Sequence, residues 1–127
     1  ESMFNPPAVF PVYVSMLTLE WLKNLGGIPA IEEVNNKKAQ LIYSEIDLNP
    51  LFKGYTVKED RSIMNATFNL TDDKLQATFD AMWKEAGING LSGHRSVGGY
   101  RASMYNALSL ESVGVLVDVM SELERKA

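Results

Sequence analysis

Cysteine is absent from this chain, so neither a disulfide nor a thiolate metal site is available to it, and its redox compartment leaves no mark. Histidine occurs once, at His94, and no tight carboxylate cluster accompanies it, so no metal site is expected. Positive charge is in deficit. Twelve Lys and Arg stand against sixteen Asp and Glu, giving a net charge of −4 and a pI near 5.0. A nucleic-acid binder needs a basic face to neutralise phosphates, so nucleic acid is set aside as a partner. No apolar run approaches the ~20 residues that a membrane-spanning helix needs, and a membrane is not expected either. The opening Glu1-Ser2-Met3-Phe4-Asn5-Pro6-Pro7 has neither an initiator Met at position 1 nor a signal-peptide pattern, and the chain is expected to be part of something longer.

One further absence is local. Between Glu85 and Glu111 there is no Asp or Glu, and the interval contains Gly93-His94-Arg95-Ser96-Val97-Gly98-Gly99-Tyr100-Arg101-Ala102-Ser103. This run holds the single histidine and two of the four arginines. A guanidinium is a planar fork that matches a carboxylate or phosphate bidentately and stays charged at any working pH. His94 adds a switchable donor beside Arg95 and Arg101, and the glycines let backbone approach a ligand closely. The plainer reading pairs each arginine with a carboxylate from a distant segment and gives the glycines to an ordinary turn.

What is present suits an ordinary globular chain of 127 residues, 46% hydrophobic and 22% charged, without repeats or linkers, expected to form a single domain over 1–127. Residues 1–10, with Pro6 and Pro7, are expected to be extended. Pro11 opens a helix with an apolar stripe of Val12, Met16, Leu19, Leu22 and Leu25 flanked by Trp21, and Gly26-Gly27 ends it. Pro29 opens a second helix. Its expected buried face is Ile31, Val34, Leu41, Ile42 and Ile46, its polar face Glu32, Glu33, Lys37 and Lys38, and Asp47-Leu48-Asn49-Pro50 stops it. Residues 51–60 read as a loop. Alternation then predicts a half-buried strand, with Met64, Ala66, Phe68 and Leu70 on one side and Asn65, Thr67 and Asn69 on the other. Thr71 caps a third helix with Leu75, Phe79, Met82 and Ala86 inward. Short strands are expected at 88–91 and 100–105, and Ser109 caps a last helix carrying Val113, Leu116, Val117, Met120 and Leu123. The predicted order is ααβαββα, an α+β two-layer sandwich with helices packed on a small, mostly antiparallel sheet. Arg61, at a strand start, is expected in a surface or interdomain ion pair.

The run from Gly93 to Ser103, continued by Tyr105-Asn106-Ala107, closely resembles the C-terminal signature of the phosphoserine aminotransferase family. Asn5-Pro6-Pro7, Trp21-Leu22-Lys23 with Gly26-Gly27, the 36–43 helix, Arg61-Ser62-Ile63-Met64-Asn65 and Glu124-Arg125 fall in the same order and at similar spacing. The resemblance implies the C-terminal small domain of an aspartate-aminotransferase-like fold, with residues 1–10 an interface segment. It implies a cytoplasmic, homodimeric pyridoxal-phosphate enzyme that moves an amino group between O-phosphoserine and 2-oxoglutarate or glutamate, in serine and pyridoxine biosynthesis. By position, Arg101 would bind the substrate α-carboxylate, and His94 with Arg95 the substrate's distal phosphate or carboxylate. Asn5 would contact the cofactor phosphate of the neighbouring subunit, although the Thr that follows it in the family pattern is absent here. The family's large domain supplies the Schiff-base lysine, whereas Lys23, Lys37 and Lys74 are expected on solvated faces. The chain is therefore expected to hold no cofactor tightly and to be inactive alone. The alternative is a stand-alone anion-binding or dimerisation module without catalysis.

Overall fold

The computed structural model describes residues 6–93 and 98–127. Contacts divide the chain into two compact units, Glu1–Glu33 and Val34–Ala127. The first contains helix α1 (Val9–Asn24), a glycine turn and the start of helix α2 (Gly27–Leu48). Pro11 sits in the first turn of α1, where its missing N–H is not needed. Gly26 and Gly27 adopt φ of 106° and 78°, a left-handed backbone that favours glycine and lets the chain leave one helix and enter the next.

The apolar stripe expected to bury α1 does not do so, for α1 contains no buried residue. Val12 and Leu19 are each 64% exposed, and Val9, Phe10, Val14 and Leu17, which lie off that stripe, are exposed as well. Periodicity identified the helix but not its surroundings. Apolar residues on more than one side mark a helix suited to burial on several faces.

The second unit is an α+β layer structure. Its sheet is β1 (Phe52–Gly54), β2 (Asn65–Leu70) and β3 (Tyr100–Ser103) in that order, antiparallel throughout. Helix α3 (Gln76–Glu85) lies between β2 and β3 in sequence, and α4 (Leu110–Lys126) closes the chain. The observed order is thus ααββαβα. Phe52 to Gly54, read as loop, forms an edge strand because Phe52 pairs with Leu70 and carries its ring into the core. The strand expected at 88–91 reduces to a single bridge between Ser92 and Tyr100. Two 3-10 turns, Lys58–Asp60 and Asp73–Leu75, precede β2 and α3, and Asp72 rather than Thr71 provides the cap, accepting from the Lys74 N–H. Ser109 caps α4 as expected, accepting from the Ser112 N–H.

One face of the sheet is apolar. Phe52, Phe68, Phe79 and Tyr100 pack as a cluster of edge-on and stacked rings, joined by Ile42 and Ile46 from α2, Trp83 from α3, and Leu116, Met120 and Leu123 from α4. Asn49, just past α2, ties three elements together. Its amide N–H donates to the Glu45 side chain and the Met120 carbonyl, and its side-chain oxygen accepts from the Leu51 N–H.

Two expectations for α2 fail together. Val34 is 36% exposed, while Lys38, assigned to the polar face, is fully buried. The inward stripe is Ile31, Asn35, Lys38, Ala39, Ile42 and Ile46. Lys38 is tolerated there because its three ammonium donors meet three backbone carbonyls, those of Met104 at 3.2 Å and of Tyr105 and Leu108 at 2.9 Å each. Burial pulls its pKa below the usual lysine range.

Arg61 behaves as expected. Its guanidinium forks onto Asp47 at 2.7 and 2.9 Å and lies 4.6 Å from the centre of the Tyr43 ring, whose hydroxyl donates to the Ser62 carbonyl. Hydrogen bonds from Arg61 hold the Asp47 carboxyl down at about 2, aided by Lys58 at 3.1 Å. A depressed carboxyl stabilises the fold above its ordinary pKa and loses that contribution as pH falls through the folded value. Asp47→Asn should therefore cost about 1–2 kcal/mol near neutrality, after allowance for partial exposure, and flatten the stability profile between about pH 4 and 2. Urea titrations of both proteins across that range check it, and parallel acid limbs would refute it.

The uncovered apolar surface of α1 carries a second expectation. The isolated 127-residue chain should self-associate as its concentration rises, and a clean monomer over a wide range in analytical ultracentrifugation would count against it.

Candidate functional site

Strand β3 separates two environments one residue apart. Tyr100 and Ala102 are buried, whereas Arg101 is exposed on the opposite face of the sheet. The Tyr100 ring stacks on Phe68 at 5.5 Å and meets Phe79 edge-on at 4.9 Å. Its hydroxyl donates to Asp80 Oδ1 at 2.9 Å, an oxygen that also accepts from the Trp83 indole N–H at 3.0 Å. Burial, with that carboxylate beside it, pushes the Tyr100 phenol well above its ordinary range. The ring is thus an anchor that does not titrate near neutrality, and it fixes where β3 begins.

Arg101 lies opposite Thr67 of β2, and its backbone N–H donates to the Leu91 carbonyl at 2.8 Å. Among the described residues its guanidinium makes no ion pair, in contrast to Arg61 and Arg125, which pair with Asp47 and Glu122. It borders a cavity of about 280 Å³ on the polar face of the sheet, lined also by Tyr55, Thr56, Thr67 and Asn69. Thr56 and Thr67 share one hydrogen bond between their hydroxyls at 3.2 Å, which leaves one hydroxyl proton uncommitted. A forked cation beside neutral donors, on a strand with both neighbours paired, is chemically suited to an anion's oxygens.

The glycines earn a structural explanation as well. Gly93 N–H donates to the Gly99 carbonyl at 2.8 Å, closing the segment on itself just outside the Ser92–Tyr100 bridge. Gly98 and Gly99 have φ of 73° and 66°, and a side chain on Gly99 would collide with the Asn69 amide. The close packing at Gly99 is thus against the sheet's own Asn69, which is what the plainer turn reading of these glycines asks for. His94 and Arg95 lie outside the described residues, as does Asn5, so of the expected site residues only Arg101 has a described position.

Thr56, Thr67 and Asn69 were not singled out from the sequence. Alternation in β2 put Thr67 and Asn69 on the polar side, but only the pairing register brings Thr67 opposite Arg101. Thr56 lay in a stretch read as irregular, with no signal to find it.

The family described as Aminotransferase class-V matches residues 1–116. Phosphoserine aminotransferase of Flavobacterium psychrophilum is 70% identical over 126 residues, which are 99% of this chain and 35% of that protein. The solved phosphoserine aminotransferase of Bacillus circulans subsp. alkalophilus superposes with a TM-score of 0.91 at 40% identity, covering 98% of this chain and 35% of that one. A phosphoserine aminotransferase from Trichomonas vaginalis, solved with pyridoxal phosphate bound, gives a TM-score of 0.84 at 36% identity over 94% of this chain and 34% of its own. The chain thus spans about a third of the length of the relatives it matches. With the family model matched over residues 1–116, the chain belongs to the class-V aminotransferases.

Proposed function

We propose that this chain is the C-terminal, substrate-binding part of a phosphoserine aminotransferase, an enzyme that exchanges an amino group between O-phosphoserine and 2-oxoglutarate. The observation that carries the reading is Arg101, an exposed guanidinium on a paired strand with no ion-pair partner among the described residues. Both substrates of that reaction are at least dianionic and need several cationic donors. Arg101 binds the α-carboxylate, which is common to phosphoserine and glutamate. His94 and Arg95, assigned by the sequence signature alone, take the distal phosphate or carboxylate. Asn5 is assigned in the same way to the cofactor phosphate across a homodimer interface. Action in the cytoplasm and in both serine and pyridoxine biosynthesis rests on the resemblance only.

The relative from Trichomonas vaginalis carries pyridoxal phosphate, and the parent enzyme of this chain is proposed to use it. When bound, that group supplies the electron sink for transamination. The described residues alone do not fit it. No described lysine lines the 280 Å³ cavity beside Arg101 or a second one of about 310 Å³ that Arg101 borders with Ile88, Leu91 and Leu116, and Lys38 has all three donors engaged. Lys23, Lys37 and Lys74 are exposed. Cofactor chemistry is accordingly assigned to the two thirds of the relatives' length that this chain does not span, and the chain alone is expected to be inactive. What its own residues do is bind and orient the substrate's anionic ends.

The test is Arg101→Lys in the full-length enzyme. Lysine keeps the charge but loses the fork, so KM for phosphoserine and for glutamate should rise roughly 10–100-fold, the worth of a charge-assisted bidentate contact. The melting temperature should stay within about 1 °C, because no ion pair among the described residues is removed. Unchanged KM values would overturn the assignment, and a large loss of stability in their place would make Arg101 a structural residue.

A further inference from the structure

The clamp reading leaves unused the arrangement that holds the far end of β3. Because Arg101 has no ion-pair partner among the described residues, what the fold fixes of it is the place of its backbone on β3. On one side that backbone is pinned by Tyr100, packed between Phe68 and Phe79 and bonded to Asp80. On the other side the strand ends at Ser103, and the next carbonyl, that of Met104, is taken by Lys38. The same ammonium takes the carbonyls of Tyr105 and Leu108. One turn earlier on α2, the buried Asn35 donates its amide N–H to Asn106 Oδ1 at 2.8 Å. Two buried polar side chains of one helix thus grip the turn 104–108 that follows the arginine strand.

Packing alone does not call for a lysine at this place. A buried cation surrounded by neutral dipoles pays a desolvation penalty, and apolar residues commonly fill such positions with equal or better stability. What an ammonium supplies is three donors radiating from a single atom, which no apolar or amide side chain can do. We infer that Lys38, assisted by Asn35, is a positioning residue for Arg101: it fixes the C-terminal end of β3 and so sets where the guanidinium stands over the polar face of the sheet. The inference rests on the reading of Arg101 as a carboxylate clamp.

The experiment uses the full-length enzyme with Lys38→Met and Asn35→Ala, assayed well below their melting temperatures. Small misplacements of a binding group from a remote site can cost up to about 100-fold, so KM for phosphoserine and glutamate should rise roughly tenfold or more in Lys38→Met, and less in Asn35→Ala. Arg101→Lys in either background should then add less than it does alone, since the fork is already misplaced. Leu123→Ala serves as control: it opens the core on α4 without removing any bond to the turn, and should lower the melting temperature while leaving KM unchanged. If the α2 variants lower only the melting temperature and keep the original KM, they are structural and the inference is overturned. Should Lys38→Met fail to fold, Asn35→Ala decides alone, and an unchanged KM there overturns it too. Failure of the underlying reading has a different signature. If Arg101→Lys itself leaves KM untouched, the clamp assignment falls and takes the inference with it. If Arg101→Lys raises KM while the α2 variants are silent, the clamp stands and only the positioning role is lost.

Discussion

A single ammonium group determines much of this architecture. Lys38 leaves water completely and is satisfied by three carbonyls of the turn that joins β3 to α4. A turn of that kind normally runs over the surface, where water completes its hydrogen bonds. Here Met104 is buried at its start, and α2 passes close enough for Lys38 and Asn35 to reach it, so the bonds must come from the protein. The interaction links residues about seventy positions apart and fixes three things together: the rotation of α2, the end of β3 and the start of α4. The buried stripe of α2 follows from it, including the outward turn of Val34.

The sheet then divides labour by face. Its apolar side gathers four aromatic rings and the inner faces of α2, α3 and α4, while its other side carries Asn65, Thr67, Asn69, Arg101 and Ser103. Stability and ligand chemistry are thereby placed on opposite sides of the same strands. Tyr100 belongs to the first and Arg101 to the second. A rigid ring beside a cation with no ion-pair partner among the described residues holds that strand in place without neutralising the charge.

How much of this was legible in the residues depends on the kind of signal. Alternation in β2 was read with the correct inward residues, because period two is unambiguous when one face is polar. The cap at Ser109 and the glycine turn at 26–27 were likewise local, and local chemistry sufficed. Phe52 to Gly54 escaped notice because a three-residue strand has no period of its own and exists only through its pairing with β2. Lys38 was misassigned for a related reason: lysine is a surface residue by composition, and its partners lie in a turn that no pattern on α2 announces. Trp83 was missed in favour of Ala86, a drift of less than one turn on a short helix. Of the site, the arginine and the glycines were visible as a cluster, whereas Thr56 and Thr67 became neighbours of Arg101 only through the fold.

The alternation of Tyr100 and Arg101 also bears on how such a segment can change over time. Side chains of a strand alternate between its faces, so a slip of β3 by one residue against β2 would exchange the two faces. Arginine would be forced among the aromatic rings and tyrosine into solvent. What has to be held is the pairing of β3 with β2, on which both the buried ring and the exposed guanidinium depend.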